Sequence, residues 1–259
     1  MLNKTIMKNI RIPTIATISS AIFLATALAS LISLSVLQQH DVAFYVYGQT
    51  QGISGEQQQH QITNADSPSN MLSLSTLTSQ GSPYQGTKSA PVTVIDFSDF
   101  QCHLCARYVK NTEPMINKTY IQTGKVALVF KHLPNRGFDS MPAALAAQCT
   151  QDQGKFWQFH NLLYEKQGPI DSGWANKDNL KKLASQISGL DMPKFDSCFD
   201  SQKYKSFVEN DTALAHSLGF TQTPSFIIVR NDGSNPQKIE GPQPFPAFKA
   251  VIDKELGGA

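Results

Sequence analysis

The stretch PVTVIDFSDFQCHLCARYVKN, Pro91 to Asn111, changes pattern once, at a pair of cysteines. Before the pair, Val92 to Phe97 is β-branched and aromatic, which reads as a buried strand. After it, Leu104, Tyr108, Met115 and Ile116 recur at helical spacing, and the pattern runs to about Thr123. Pro114 removes a donor inside that run and predicts a kink or break. Gly124 closes the helix, and KVALVFKHL, Lys125 to Leu133, reads as the next strand. Strand, helix and strand in this order predict a parallel βαβ unit, with Cys102 and Cys105 where the helix begins.

Downstream, Asp139 to Gly219 is helical in pattern almost throughout, from SMPAALAAQC through GKFWQFHNLLYE, NKDNLKKLASQI and DMPKFDSCF to KYKSFVENDTALAHSLG. Gly219 is a fitting residue just past a helix end. SFIIVR (Ser225–Arg230) is a third strand, NDGS a turn, QKIEG its partner strand, and PQPFPAFKAVIDKEL a closing helix. The whole is an α/β chain: βαβ, a helical block, then ββα.

Upstream, the composition differs. Lys4, Lys8 and Arg11 precede Ile12 to Leu37, a run without charge. Roughly 20 apolar residues cross a bilayer, and positive charge ahead of them predicts an inside N-terminus. Ala27-Leu28-Ala29 also has the form of a signal-peptide cleavage site. Residues 1–37 are thus a membrane anchor or a signal peptide, and either puts the body of the protein outside the cytoplasm. Residues 38–81 are rich in Gln, Ser, Thr and Asn and read as a flexible polar linker, with the globular part beginning near Ser82. Of the 259 residues, 41% are hydrophobic, enough for a core, and a net charge of +2 exerts no strong pull toward nucleic acid. The six histidines are scattered and form no metal-spaced cluster.

The cysteine pair admits three readings. Zinc takes about four ligands, and there is one C-x-x-C. A disulfide across two residues closes too short a loop to restrain the unfolded chain. A redox couple has a mechanism: an exposed sulfur at Cys102 would sit at the positive end of the helix dipole, which favours thiolate. His103 and Arg107 add positive charge, and Cys105, one turn deeper, would be the buried resolving thiol. Asp96, at the end of the first strand, could move a proton to or from Cys105, and Lys131 could pair with it. In TQTPSFII, a cis Thr223–Pro224 bond would offer the Thr223 backbone as an edge for an extended peptide. An ordinary strand-edge aspartate and a routine strand-start proline fit the same residues.

Taken together, APVTVIDFSDFQCHLC, AALAAQCTQDQGKFWQFHNLLYE and SLGFTQTPSFII resemble the thioredoxin superfamily, and within it the DsbA-like exported thiol–disulfide oxidoreductases. The resemblance runs from about Ser82 to Leu256. It implies a thioredoxin fold with a helical domain inserted at about 139–219, inside a domain spanning 82–256. It puts the nucleophile on Cys102, the resolving thiol on Cys105, the buried acid on Asp96 and the cis-proline loop on Thr223 and Pro224. Members commonly carry proline first between the cysteines, and their best-known oxidases have histidine second; here the pair is His103-Leu104. His103 would then help to hold the Cys102 thiolate.

Cys149 and Cys198 fall on inward faces of two helices of the inserted block, beside Leu145 and Phe195. In an exported chain an even cysteine count predicts disulfides. A bond between these two would close about 50 residues, worth roughly 4 kcal/mol on the entropy model; two buried free thiols are the other possibility. The expected activity is to form or reshuffle disulfides in exported proteins. It needs no organic cofactor and no metal, because the electrons sit in the cysteines. Its partners would be exported proteins with thiols or disulfides and a membrane redox partner that recycles the pair. A reductase of the same fold, or a non-catalytic module holding a soft metal, are the alternatives.

Overall fold

The computed structural model describes residues 73–79 and 81–257. The expected anchor or signal peptide, 1–37, and most of the expected linker lie outside these residues. None of the described helices is long and apolar enough to cross a membrane.

Five strands form one sheet in the order β1-β3-β2-β4-β5. They are β1 (Tyr84–Gln85), β2 (Val92–Ser98), β3 (Val126–His132), β4 (Ser225–Arg230) and β5 (Gln237–Glu240). β2 and β3 run parallel, from Val92 opposite Val126 to Ser98 opposite His132; the other pairs are antiparallel. Every residue of β2 and β3 is buried, as continuous β-branched runs at a sheet centre should be. Alternation along β2 sends Val92, Val94 and Asp96 to one face and Ile95 and Phe97 to the other. Val92 and Val94 join a core with Tyr108, Ile116, Phe226, Phe248 and Ile252. Ile95 and Phe97 pack with Val129, Ala215, Phe220 and Leu77.

The helix after the cysteines is divided. α2 spans His103–Asn111 and α3 Glu113–Ile116, followed by a π-turn over Asn117–Ile121. The break falls at Thr112 rather than at Pro114, because a proline is tolerated in the first turn of a helix and α3 simply restarts ahead of it. The inserted block consists of α4 (Ser140–Gln151), α5 (Phe156–Glu165), α6 (Lys177–Ala184), α7 (Met192–Asp200) and α8 (Lys205–Ser217), and α9 (Phe245–Glu255) closes the chain. The core of the block, around Phe156, Phe159, Leu163 and Phe195, is continuous with Phe100, Phe130, Cys102 and Cys105. Within it the sulfurs of Cys149 and Cys198 are bonded at 2.04 Å, with Cα atoms 5.8 Å apart.

Two further expectations differ from the structure here. Ser73–Ser79, assigned to the polar linker, holds a short helix, α1 (Leu74–Leu77), and its Leu77 is fully buried against the sheet. Lys131 does not meet Asp96. Asp96 pairs in register with Phe130, so Lys131 points to the opposite face. There its ammonium, fully buried, lies 2.8 Å from Asp211 of α8 and donates to Ser79 Oγ at 2.7 Å. Asp211 also accepts the backbone N–H of His132, so one ion pair ties β3, α8 and the segment before β1 together.

Candidate active site

Cys102 is the N-cap of α2. Its backbone is extended, and its sulfur accepts the N–H of Cys105 at 3.4 Å. As a thiol it also donates to the carbonyl of Thr223 at 3.2 Å. The Thr223–Pro224 peptide is cis and leads directly into β4, which pairs with β2. The sequence suggests an exposed sulfur, yet Cys102 is only 1% exposed, because the proline loop lies over it. Cys105 is fully buried one turn deeper.

The two thiols are driven apart in acidity. A hydrogen bond from the Cys105 thiol, assisted by Thr223, by the Cys105 N–H and by the charge of Arg136, lowers the Cys102 pKa to about 5 against the opposing effect of burial. Burial pushes the Cys105 thiol well up, and its hydrogen bond to Cys102 adds to this, as do the charges of Cys102 and Asp96. Asp96 lies within β2, two residues short of its end, and is 1% exposed. Burial raises its pKa to about 7; the charge of Cys102 adds to the rise, and a hydrogen bond from Ser98 Oγ opposes it. His103 is exposed on α2 and makes no hydrogen bond to either cysteine among the described residues.

The cation that reaches the site is one the sequence reading missed. Arg136, in the loop after β3, directs Nη2 to the carbonyl of Thr223 at 3.4 Å and Nε to its hydroxyl at 3.3 Å. Its loop is held by Asp99, a 2% exposed carboxylate just before the cysteines. Asp99 accepts the backbone N–H groups of Gln101, Asn135 and Arg136 at 2.7–2.8 Å. The one available signal was position: Arg136 follows the C-terminal end of a parallel strand, where ligand-handling loops of such sheets gather. Arg136→Gln is expected to raise the Cys102 pKa by up to about one unit, read from the ultraviolet absorbance of the thiolate during titration.

This arrangement can carry thiol–disulfide exchange. It offers a low-pKa sulfur at a helix start, a buried high-pKa partner, a carboxyl that titrates near neutrality and a backbone edge beside the sulfur.

The thioredoxin family profile matches residues 78–254. Disulfide bond formation protein D of Bacillus subtilis is 30% identical over 181 residues, 69% of this chain and 79% of that protein. The crystal structure of oxidised BdbD from Bacillus subtilis superposes with a TM-score of 0.61 at 30% identity, covering 69% of this chain and 94% of that one. The structure of Wolbachia pipientis alpha-DsbA1 does so with a TM-score of 0.59 at 28% identity, covering 68% and 91%. A thioredoxin sheet with a helical insertion, and relatives that carry these names over most of their length, make the chain a member of the thioredoxin family and a DsbA-like protein thiol–disulfide oxidoreductase.

Proposed function

We propose that Cys102 and Cys105 are the redox couple of this oxidoreductase and that its net task is to hand a disulfide to exported proteins. The observation that carries this reading is the placement of the two thiols: Cys102 caps α2, accepts the Cys105 N–H and lies against the cis Thr223–Pro224 loop, while Cys105 is fully buried, a setting that lowers the Cys102 pKa to about 5 and holds Cys105 as a thiol. Stabilising one thiolate favours the reduced form of the pair, so the disulfide form is the better oxidant. A substrate thiolate attacks Cys102 and displaces Cys105, which takes a proton from Asp96. A second substrate thiol then attacks the mixed disulfide and releases Cys102 as thiolate. The substrate loses two electrons and the cysteine pair gains them. Thr223 and Pro224 hold the substrate backbone alongside Cys102, and Arg136 steadies that loop. Cys149 and Cys198 serve stability.

The catalytic domain, with its helical insertion, works outside the cytoplasm, tethered by residues 1–37 or released after their cleavage. A membrane redox partner re-oxidises the pair. The charge pattern ahead of the apolar run from Ile12 supports this placement.

The test is a titration joined to a refolding assay. The reduced protein is expected to lose thiolate absorbance with a midpoint near pH 5, and the oxidised protein to speed the refolding of a reduced protein that requires disulfides. A midpoint at the value of free cysteine, with no gain in refolding, would sink the proposal.

A further inference from the structure

Asp96 lies closed beneath the cysteines, and a proton it gives up must be replaced from somewhere. The face of the sheet that carries Asp96 is covered in part by α3, through Ile116, and α3 holds a second buried carboxyl. Glu113, the first residue of α3, is 6% exposed, and its Oε2 is a buried atom with no hydrogen-bond partner among the described residues. The hydroxyl of Tyr108, one turn below Cys105, is buried and equally unpartnered among them. Tyr108 packs on Phe226, the register partner of Asp96, with ring centroids 4.6 Å apart. Glu113 also lines a cavity of about 820 Å³ that opens to solvent between α2 and α5. A carboxyl with an orphaned oxygen, walled by the helix that carries both cysteines, is expensive to keep for packing alone.

We propose that Glu113 passes protons between this cavity and Asp96. The inference rests on the reading of Cys102, Cys105 and Asp96 given above. When a substrate thiolate attacks Sγ of Cys102, the Cys102–Cys105 bond breaks and its electron pair leaves on Cys105. Cys105 takes the Asp96 proton, Glu113 returns one to Asp96, and Glu113 is refilled from the cavity. The substrate dithiol sheds two protons to solvent, and one proton re-enters by this route to end on Cys105. Glu113 touches no substrate and acts through Asp96; it is a positioning residue for the proton.

The electrostatics agree with the geometry. Burial, with the charge of Asp96 added, raises the Glu113 pKa to about 8, close to that of Asp96 at about 7, so a proton can move either way. Both carboxylates, after burial itself, make the Tyr108 hydroxyl harder to ionise. The other ionisable groups around the cavity are His103, Arg107 and Lys110 on α2 and Tyr164 and Glu165 on α5. On α9, which packs against α3, Asp253 is occupied by Tyr120 and Lys249.

In the full-length protein, reduction of the Cys102–Cys105 disulfide by dithiothreitol is followed across the interval from about pH 5 to 10. Glu113→Gln is expected to slow the step roughly tenfold and to remove the inflection near pH 8, while Glu113→Asp restores it. A Glu113→Gln protein with the wild-type profile would overturn the relay. In the unaltered oxidised protein, where neither Cys102 nor Cys105 titrates, the carboxyl resonance of Asp96 should titrate in two steps because Glu113 titrates beside it; a single step overturns the relay without any variant. Retained exchange in Cys102→Ser would instead overturn the reading of the redox pair, so the two failures are distinguishable.

Discussion

Cys102→Ser is expected to lower the rate of thiol–disulfide exchange by at least about 10³-fold, with the fold intact. A serine hydroxyl can still take the N-cap position and accept the Cys105 N–H, so α2 keeps its start. It cannot be attacked as a disulfide sulfur or leave as a stabilised anion. Cys105→Ser should behave differently. Cys102 remains a nucleophile, but the mixed disulfide can no longer be resolved from within the protein and waits on a second substrate thiol, so it should build up and appear by mass as one substrate joined to one protein. The pH dependence of the wild type follows from the same sulfur. Its pKa in the folded protein is lowered from 9.0 to about 5. Stabilisation of the reduced form is therefore complete above the free-thiol value and is lost as pH falls through about 5. Attack by Cys102 should be flat above pH 5 and fall about tenfold per unit below it. Stopped-flow exchange with a small disulfide reads both limbs, and a rate still climbing between pH 7 and 9 would contradict the lowered pKa.

Removing the other bond should cost stability and leave chemistry in place. Cys149 and Cys198 join α4 to α7 across 49 positions of sequence. A closed loop of that length restrains the unfolded chain by roughly 4 kcal/mol. The double variant Cys149→Ala/Cys198→Ala is expected to unfold about 10 °C lower, given roughly 2–4 °C per kcal/mol for a domain of this size. Both sulfurs are buried among apolar side chains, so the truncation also loses some packing. Exchange activity measured well below the new midpoint should match the wild type. Thermal unfolding alongside an exchange assay decides it: a folded double variant that cannot exchange would assign this pair a redox role.

Much of the architecture could be read from local pattern. Val92–Phe97 and Val126–Phe130 are predominantly apolar, as strands buried on both faces are, and the block from Asp139 to Gly219 has helical spacing nearly throughout. The position of Cys102 at a helix start follows from the change of period there. What escaped reading depends on contacts distant in sequence. Arg136 reaches Thr223 across 87 positions, and Asp99 reaches the Arg136 N–H across 37. Neither residue sits in a periodic segment, so nothing local marks it. Leu77 ends a short apolar patch, MLSLSTL, inside a polar stretch, and only the assembled sheet supplies the surface that buries it. At a strand end Lys131 fits a partner for Asp96 or a solvated lysine equally well, and only the strand alternation and the distant α8 bring it to Asp211. Glu113 looks like an ordinary helix-start acid until the cavity and the orphaned oxygen are seen.

The Asp99 anchorage has a bearing on how such a protein could change over time. The guanidinium near Cys102 is located by backbone amides gripped by a carboxylate outside the interval between the two cysteines. Exchanging His103 and Leu104 for other residues would leave that guanidinium where it stands. On the proposed reading of Cys102 and Cys105, the intervening dipeptide and the distant loop are two separate places from which oxidising strength could be set, and selection could adjust either one while the other is held constant.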